Sequence, residues 1–287
     1  MAAQPKPLPG ATTNAPWVIV QMESRLFAIS AANIRQMVMM PEVTAVPGLP
    51  PFIQGVITLR GDVIPLINLR VRIGMASAQD ETDRFCTLMD AREQDHRKWL
   101  DELQRSIATG SVFTLATDPH QCAFGRWYDS YRPPDPWIGG LVKKFEQPHA
   151  QIHALAIEVK KLQDHGDSTG AARLVSGAGK VLLATMIRLF DEIKTTVRQS
   201  RRQTVLILNV QDRSVAVAVD SAIAVEKLQV EDLPAGPTDT HGGLVRRLGK
   251  RAKTSDLVLV LEPDRILDAK PAAPAASPRR RPAKLRL

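Results

Sequence analysis

The sequence predicts an α+β, multidomain chain in which a strand-forming domain is interrupted by a helical module. Three observations predict it. Trp17 to Met75 is made of short runs rich in β-branched residues, about Asp80 to Gln199 switches to three- and four-residue apolar spacing, and Gln203 to about Asp268 returns to strands. Neither strand-rich half is long, so one domain carrying an insert in a surface loop is more economical than three separate domains. The expected boundaries are a tail at 1–16, the first part of the strand domain at 17–78, the helical insert at 79–200, the second part at 201–269, and a basic Pro/Ala-rich tail at 270–287.

In the first segment the strands are VIVQM, RLFAI, VITLR and VIPLINL, separated by Pro41, Pro47-Gly48, Pro50-Pro51 and Arg60-Gly61-Asp62. Gly61-Asp62 between two apolar runs marks a hairpin. Strands so closely spaced predict a small antiparallel barrel whose closure hides its edges. In the insert, RFCTLMDAREQDHRKWLDELQRSIATG spaces Phe85, Leu88, Met89, His96, Trp99, Leu100, Leu103 and Ile107 as one face of a long helix. A loop region through Gly140 follows. One helix then starts at Gln147-Pro148 and runs to about Asp164, before Gly166. Another covers Ser168 to about Arg198, weakened at its start by Gly170, Gly177 and Gly179. The last segment offers TVLILNV and RSVAVAVD around a Gln211-Asp212 turn, then AIAVEKL, a loop PAGPTDTHGG, DLVLVLE, and a short helix over Glu262 to Leu267.

Composition narrows the function. The chain is 44% apolar and 24% charged, a globular balance, and no window approaches 18 uninterrupted apolar residues. The start, MAAQPKPLPGATTNAP, lacks the apolar stretch of a secretion signal, so a cytoplasmic location without membrane insertion is expected. The formal charge is +8, but Lys270, Arg279, Arg280, Arg281, Lys284 and Arg286 supply +6 of it in the last tail, without an acid. The body is nearly neutral, and nucleic acid is not an expected partner.

The insert holds five of the six histidines and both cysteines, Cys86 and Cys122. His149 and His153, four residues apart, share one helix face. Cys122 lies in the compact loop HQCAFGRWY, where Gly125 permits a turn, and His96 lies on the apolar stripe one turn before Trp99. Three imidazoles and one thiolate suit tetrahedral Zn²⁺, which takes N and S ligands at about 2.0–2.3 Å. His120 competes for a ligand place, either in exchange for His96 or facing water, and Asp95 is a candidate acceptor for the His96 ring. Cys86 reads as a buried thiol, His165 as a helix-end residue, and His241 has no ligand partners nearby in sequence. No HExxH, GxSxG, Walker or dinucleotide motif occurs. GAARLVSGAGK is preceded by no strand, and its lysine is followed by neither Ser nor Thr. No acid–base or nucleophile set converges, so an enzyme is not expected, and four engaged ligands would leave a metal no open position.

Two groups of motifs carry a family resemblance. PEVTAVPGLPPFIQGVITLRGDVIPLINLRVRIGM, with VAVAVDSAIAVEKL, HGGLVRRLGK and DLVLVLEPDRIL, resembles CheW-like chemotaxis coupling proteins over about 17–75 and 203–268. Inside these, DHRKWL, HQCAFGRWY and HAQIH resemble the chemoreceptor zinc-binding domain, a helical bundle with three His ligands and one Cys. The resemblance implies a pair of SH3-like β-barrels interrupted by a helical-bundle insert. It also implies one zinc ion held by His96, Cys122, His149 and His153, with His120 a neighbour. It implies a scaffold that links the cytoplasmic tips of chemoreceptors to a histidine autokinase, recruited to receptor arrays, with a possible homodimer through the insert. The Leu59-Arg60-Gly61 turn is implied as a partner contact, in which the Arg60 guanidinium would meet a carboxylate. The sequence departs from the family in two places: Gln36 stands where a Glu is common, and Ala218 stands where a Gly usually precedes Val-Asp. The zinc module is then expected to sense zinc or oxidants. The alternative is a structural zinc module in a generic interaction scaffold.

Overall fold

The structure, a computed structural model, describes residues 16–133, 135–200, 202–233 and 243–268. Both tails (up to residue 15 and from 269), most of the PAGPTDTHGG loop and His241 lie outside the described residues. The chain divides into two compact units, one of residues through Ala78 with those from Arg202 onward, the other Gln79–Arg201.

The strand unit contains β1 (Trp17–Met22), β2 (Arg25–Ser30), β3 (Ile34–Met39), β4 (Ile53–Leu59) and β5 (Asp62–Asn68), followed by the single-turn helix α1 (Leu69–Arg72). After the insert come β6 (Thr204–Val210), β7 (Arg213–Val219), β8 (Ser221–Glu226), β9 (Leu228–Asp232), β10 (Val245–Arg251) and β11 (Leu257–Leu261). The helix expected at Glu262–Leu267 is a 3-10 turn over Pro263–Arg265. β10 falls in the HGGLVRRLGK stretch that entered only through the family resemblance, and β3 and β9 have no counterpart among the expected strands. Arg35, Gln36, Gln229 and Glu231 interrupt their apolar pattern, as suits strands at sheet edges. At the β4–β5 hairpin the two turn residues, Arg60 and Gly61, have φ of +53° and +92°, the signature of a type I′ turn.

The strands form two sheets, of order β8-β1-β2-β11-β10-β9 and β3-β6-β7-β5-β4. Each is mixed, with one parallel pair, β2 with β11 and β5 with β7. The expectation of two closed SH3-like barrels is therefore corrected: both sheets are open. In the six-stranded sheet the end strands β8 and β9 follow one another with only Lys227 between them. They meet end to end, whereas a closing ladder needs strands side by side and a hairpin needs at least two loop residues. In the five-stranded sheet, the segment between β3 and β4 makes one isolated bridge, Thr44 to Val56. Pro41, Pro47, Pro50 and Pro51 in that segment supply no N–H donors for a continuous ladder.

Val18, Val20, Met22, Phe27 and Ile29 of one sheet and Leu206, Leu208, Val215 and Val217 of the other enter one shared core. The opposite faces bury smaller clusters, Trp17, Ile19, Ala28, Val258 and Val260 on one sheet and Ile57, Ile64, Leu66, Val205 and Ile207 on the other. Burial on both faces explains why these strands read as continuous apolar runs rather than alternating ones. Two arginines of α1 are buried. Arg70 donates from Nε to Asp220 at 2.7 Å and also bonds that carboxylate's second oxygen. Arg72 donates to the carbonyls of Ile266 (3.1 Å) and Arg265 (2.9 Å) and lies over the Phe52 ring.

The helical unit starts with α2 (Ala78–Thr109), longer than expected and ended by Gly110 at φ +69°. The region expected to be loop through Gly140 contains two helices, α3 (Ala123–Ser130) and α4 (Pro136–Lys143). They are short, and local caps start them, Cys122 for α3 and Asp135 with Pro136 for α4. α5 (Glu146–Asp164) is followed by α6 (Ser168–Leu174), a π-helical stretch Val175–Gly179, and α7 (Lys180–Ser200). The glycines thus widen one long helix rather than merely weakening its start. The run Ser168–Ser200 is long and apolar enough to span a membrane by length and composition alone. Its Met186, Phe190, Ile193 and Val197 are buried in the unit's core with Met89, Leu103, Phe124, Phe145 and Ile152.

Candidate metal centre

Three elements deliver four donor side chains to one point. α2 supplies His96, the α3 N-terminus Cys122, and α5 both His149 and His153 on successive turns of one face. One ligand atom from each lies within 4.8 Å of every other. Tetrahedral corners about 2.0–2.3 Å from a metal would stand roughly 3.3–3.7 Å apart, so small side-chain movements close the set. His96, His149 and His153 are buried, and Cys122 is half-buried.

The hydrogen bonds determine which nitrogens face inward. His96 Nδ1 lies 2.7 Å from the Arg92 carbonyl, and His153 Nδ1 lies 3.0 Å from that of Ala116. A carbonyl only accepts, so each Nδ1 carries the proton and each Nε2 keeps its lone pair. Those two Nε2 atoms are buried without a hydrogen-bond partner among the described residues. Orphaned acceptors of this kind are costly unless something fills them, and a cation facing both would do so. His149 Nε2 lies 3.2 Å from Cys122 Sγ. Burial, reinforced by the facing His96, holds the His149 ring down to about 3, and burial with the same neighbour holds His153 to about 4. Both rings are neutral at pH 7 and ready to ligate without losing a proton. Burial pushes the Cys122 thiol up, against the opposing pull of the Gly125 and Phe124 amides.

Cys122 is held from both sides of its sulfur, which accepts from the Gly125 N–H at 3.1 Å and lies 3.3 Å from the Pro119 carbonyl. Gly125 is helical, not a turn residue. A Cβ there would collide with the Pro119 carbonyl oxygen, so glycine lets α3 close on the loop that precedes it. Phe124, 4.8 Å from the His149 ring, and Phe190, 6.3 Å from His96, help keep the site dry.

The other sequence candidates lie apart from this cluster. His120 is exposed and pairs with Asp129 at 3.0 Å, a contact that raises its pKa. Asp95 pairs with Arg92 at 3.3 Å, and the backbone carbonyl of Arg92, not Asp95, orients His96. Cys86 is buried, and His165 Nδ1 lies 2.7 Å from the Lys161 carbonyl. Arg60 belongs to the strand unit, exposed at its hairpin tip. The carbonyls of Arg92, Ala116 and Pro119 were not legible in the sequence, because any residue type supplies a carbonyl.

Comparison with known proteins agrees with both parts of the chain. A family model for the CheW-like domain matches residues 16–98 and 178–270, together more than half of the chain, and one for the chemoreceptor zinc-binding domain matches 96–160. The chemotaxis protein CheW of Helicobacter pylori is 32% identical over 81 residues, 28% of this chain and 49% of that protein. CheW of Bacillus subtilis is 36% identical over 67 residues, 23% of this chain and 43% of that protein. The chain thus spans half or less of the length of these curated relatives. A crystal structure of the scaffolding protein TtCheW from Thermoanaerobacter tengcongensis aligns with a TM-score of 0.42 at 11% identity, covering 90% of this chain and 96% of that one.

Proposed function

Because the chain belongs to the CheW-like domain family, we propose that it is a chemotaxis signalling adaptor coupling chemoreceptor tips to a histidine autokinase, with a resident zinc module. Family membership supports a non-catalytic scaffold, and a cytoplasmic place in receptor arrays goes with that role. One Zn²⁺ would be held by His96, Cys122, His149 and His153. The observation that carries the metal reading is the convergence of two buried, partnerless Nε2 atoms with a thiol and a third imidazole. Zinc would supply the charge that these four donors are arranged to neutralise, and the closed donor set favours folding or sensing over hydrolysis.

A sensing role has a physical basis in the two connections of the module. In the chain α2 follows α1 after residues 73–77, and β6 follows α7 after residues 201–203. His96 lies on α2, the helix that follows the first half of the scaffold in the chain, so a change at the metal centre would act on that connection. Arg60, with positive φ on a rigid two-residue turn, presents an exposed guanidinium for a partner carboxylate.

Metal content and coordination spectroscopy on wild type and Cys122→Ala test the site. One zinc with a single sulfur ligand, the sulfur absent from the variant, is the expected result; carefully purified protein without metal would overturn it. In a reconstituted array, zinc removal should change kinase output. Unchanged output despite melted helices would favour the purely structural role.

A further inference from the structure

We infer that Trp99 is a positioning residue of the metal centre, acting through the Ala116 carbonyl oxygen that its indole N–H shares with His153. The inference rests on the zinc reading above. Trp99 Nε1 donates to this oxygen at 2.8 Å, and His153 Nδ1 lies 3.0 Å from it. The indole is buried, and its ring stands 5.0 Å from that of His153 and 5.1 Å from Phe113.

The acceptor sits on a segment with little else to hold it. Residues 112–117 make no backbone–backbone hydrogen bond among the described residues, and only Phe113 and Ala116 there are even partly buried. The segment is nevertheless what fixes the His153 tautomer, and it leads to Pro119, whose carbonyl meets the Cys122 sulfur. Two side-chain donors and one ring contact therefore hold a loop that helps orient two of the four donors. Trp99 provides one of those donors and also the ring contact. Without its N–H, the Ala116 carbonyl is free to turn toward water, the usual partner of an exposed loop. His153 then loses the acceptor that keeps its Nε2 lone pair facing the centre.

Trp99→Phe in the full chain removes the N–H and retains an aromatic ring against Phe113. Zinc affinity, measured by competition with a chromophoric chelator, should weaken about 10- to 100-fold, the range for losing a group that orients a ligand. Nitrogen-15 spectra of the metal-free protein should show His153 as the Nδ1–H tautomer in the wild type and as a mixture in the variant. Unchanged affinity together with an unchanged tautomer would overturn the inference while leaving the zinc reading intact. A tautomer change in a protein whose wild type binds no zinc would uphold the positioning role and sink the zinc reading instead. If the variant fails to fold, the wild type decides: a slowly exchanging Trp99 indole proton in the metal-free protein supports the contact, and exchange at the solvent rate refutes it.

Discussion

Asp220→Ala should remove a large share of the strand unit's stability, and its size follows from the surroundings of Arg70. The Arg70 side chain is 1% exposed, and Asp220 binds it through both carboxylate oxygens. The same carboxylate accepts the Glu23 N–H at 2.8 Å, which ties the β1–β2 turn to the end of β7. Removing one partner of a buried pair costs about 3–5 kcal/mol, mostly because the other charge is stranded. Two features pull toward the lower end. Asp220 itself is 22% exposed, and the Glu23 carboxylate stands 3.5 Å from Arg70. A loss of about 3 kcal/mol is expected. Amide exchange of the slowest β1 and β7 peptides reports this unit separately from the helices, so the loss is measured there. Arg70→Met combined with Asp220→Ala should recover part of it, since no buried charge is then left without Asp220. A single-variant loss below about 1 kcal/mol, or a double variant worse than the two single losses added, would refute the stranded-charge account.

Gly125→Ala should displace α3 from Pro119, costing the helical unit about 1–3 kcal/mol and weakening zinc binding, with thermal melts and metal content as the measurements. The metal-free helical unit should lose stability in acid. The folded pKa values of His149 and His153 lie near 3 and 4, below the ordinary 6.5, so the unfolded chain binds more protons across that interval. Their contribution is complete above about pH 6.5 and fades as the pH falls toward 4 and then 3; a flat urea midpoint from pH 7 to 4 would contradict it. Lys194→Met should loosen α7 from α2, because Lys194, 12% exposed, bonds Asp90 at 2.6 Å and lies 3.8 Å from the buried Glu93. A loss of about 1–3 kcal/mol, read as faster exchange in both helices, is the expected result.

Much of the architecture was readable because it is local. The i, i+4 spacing of His149 and His153 places both on one helix face before any tertiary contact forms. Gly61, in the Arg60-Gly61 turn, marks its hairpin through backbone conformation alone. α3 and α4 escaped because each is only eight residues long, with Pro and Gly in and around them, and their buried apolar residues, Phe124, Ile138, Leu141 and Val142, find partners only in the tertiary core of the helical unit. Gly125 was visible as a glycine, but the reason for it, the Pro119 carbonyl, is a backbone contact that no residue type announces.

The sequence by itself determined the change of period from strand to helix and back, and the chemical types and order of the candidate donor side chains, with His120 still among them until the resemblance set it aside. Those depend on residue identity and on spacing within single elements. Only the tertiary structure decided that the sheets stay open, that Arg70 and Arg72 are buried, and that backbone carbonyls from Arg92 and Ala116 turn two imidazoles inward. Strand closure, charge burial and ring tautomers each depend on a partner far away in the chain, and sequence spacing carries no distance across the fold.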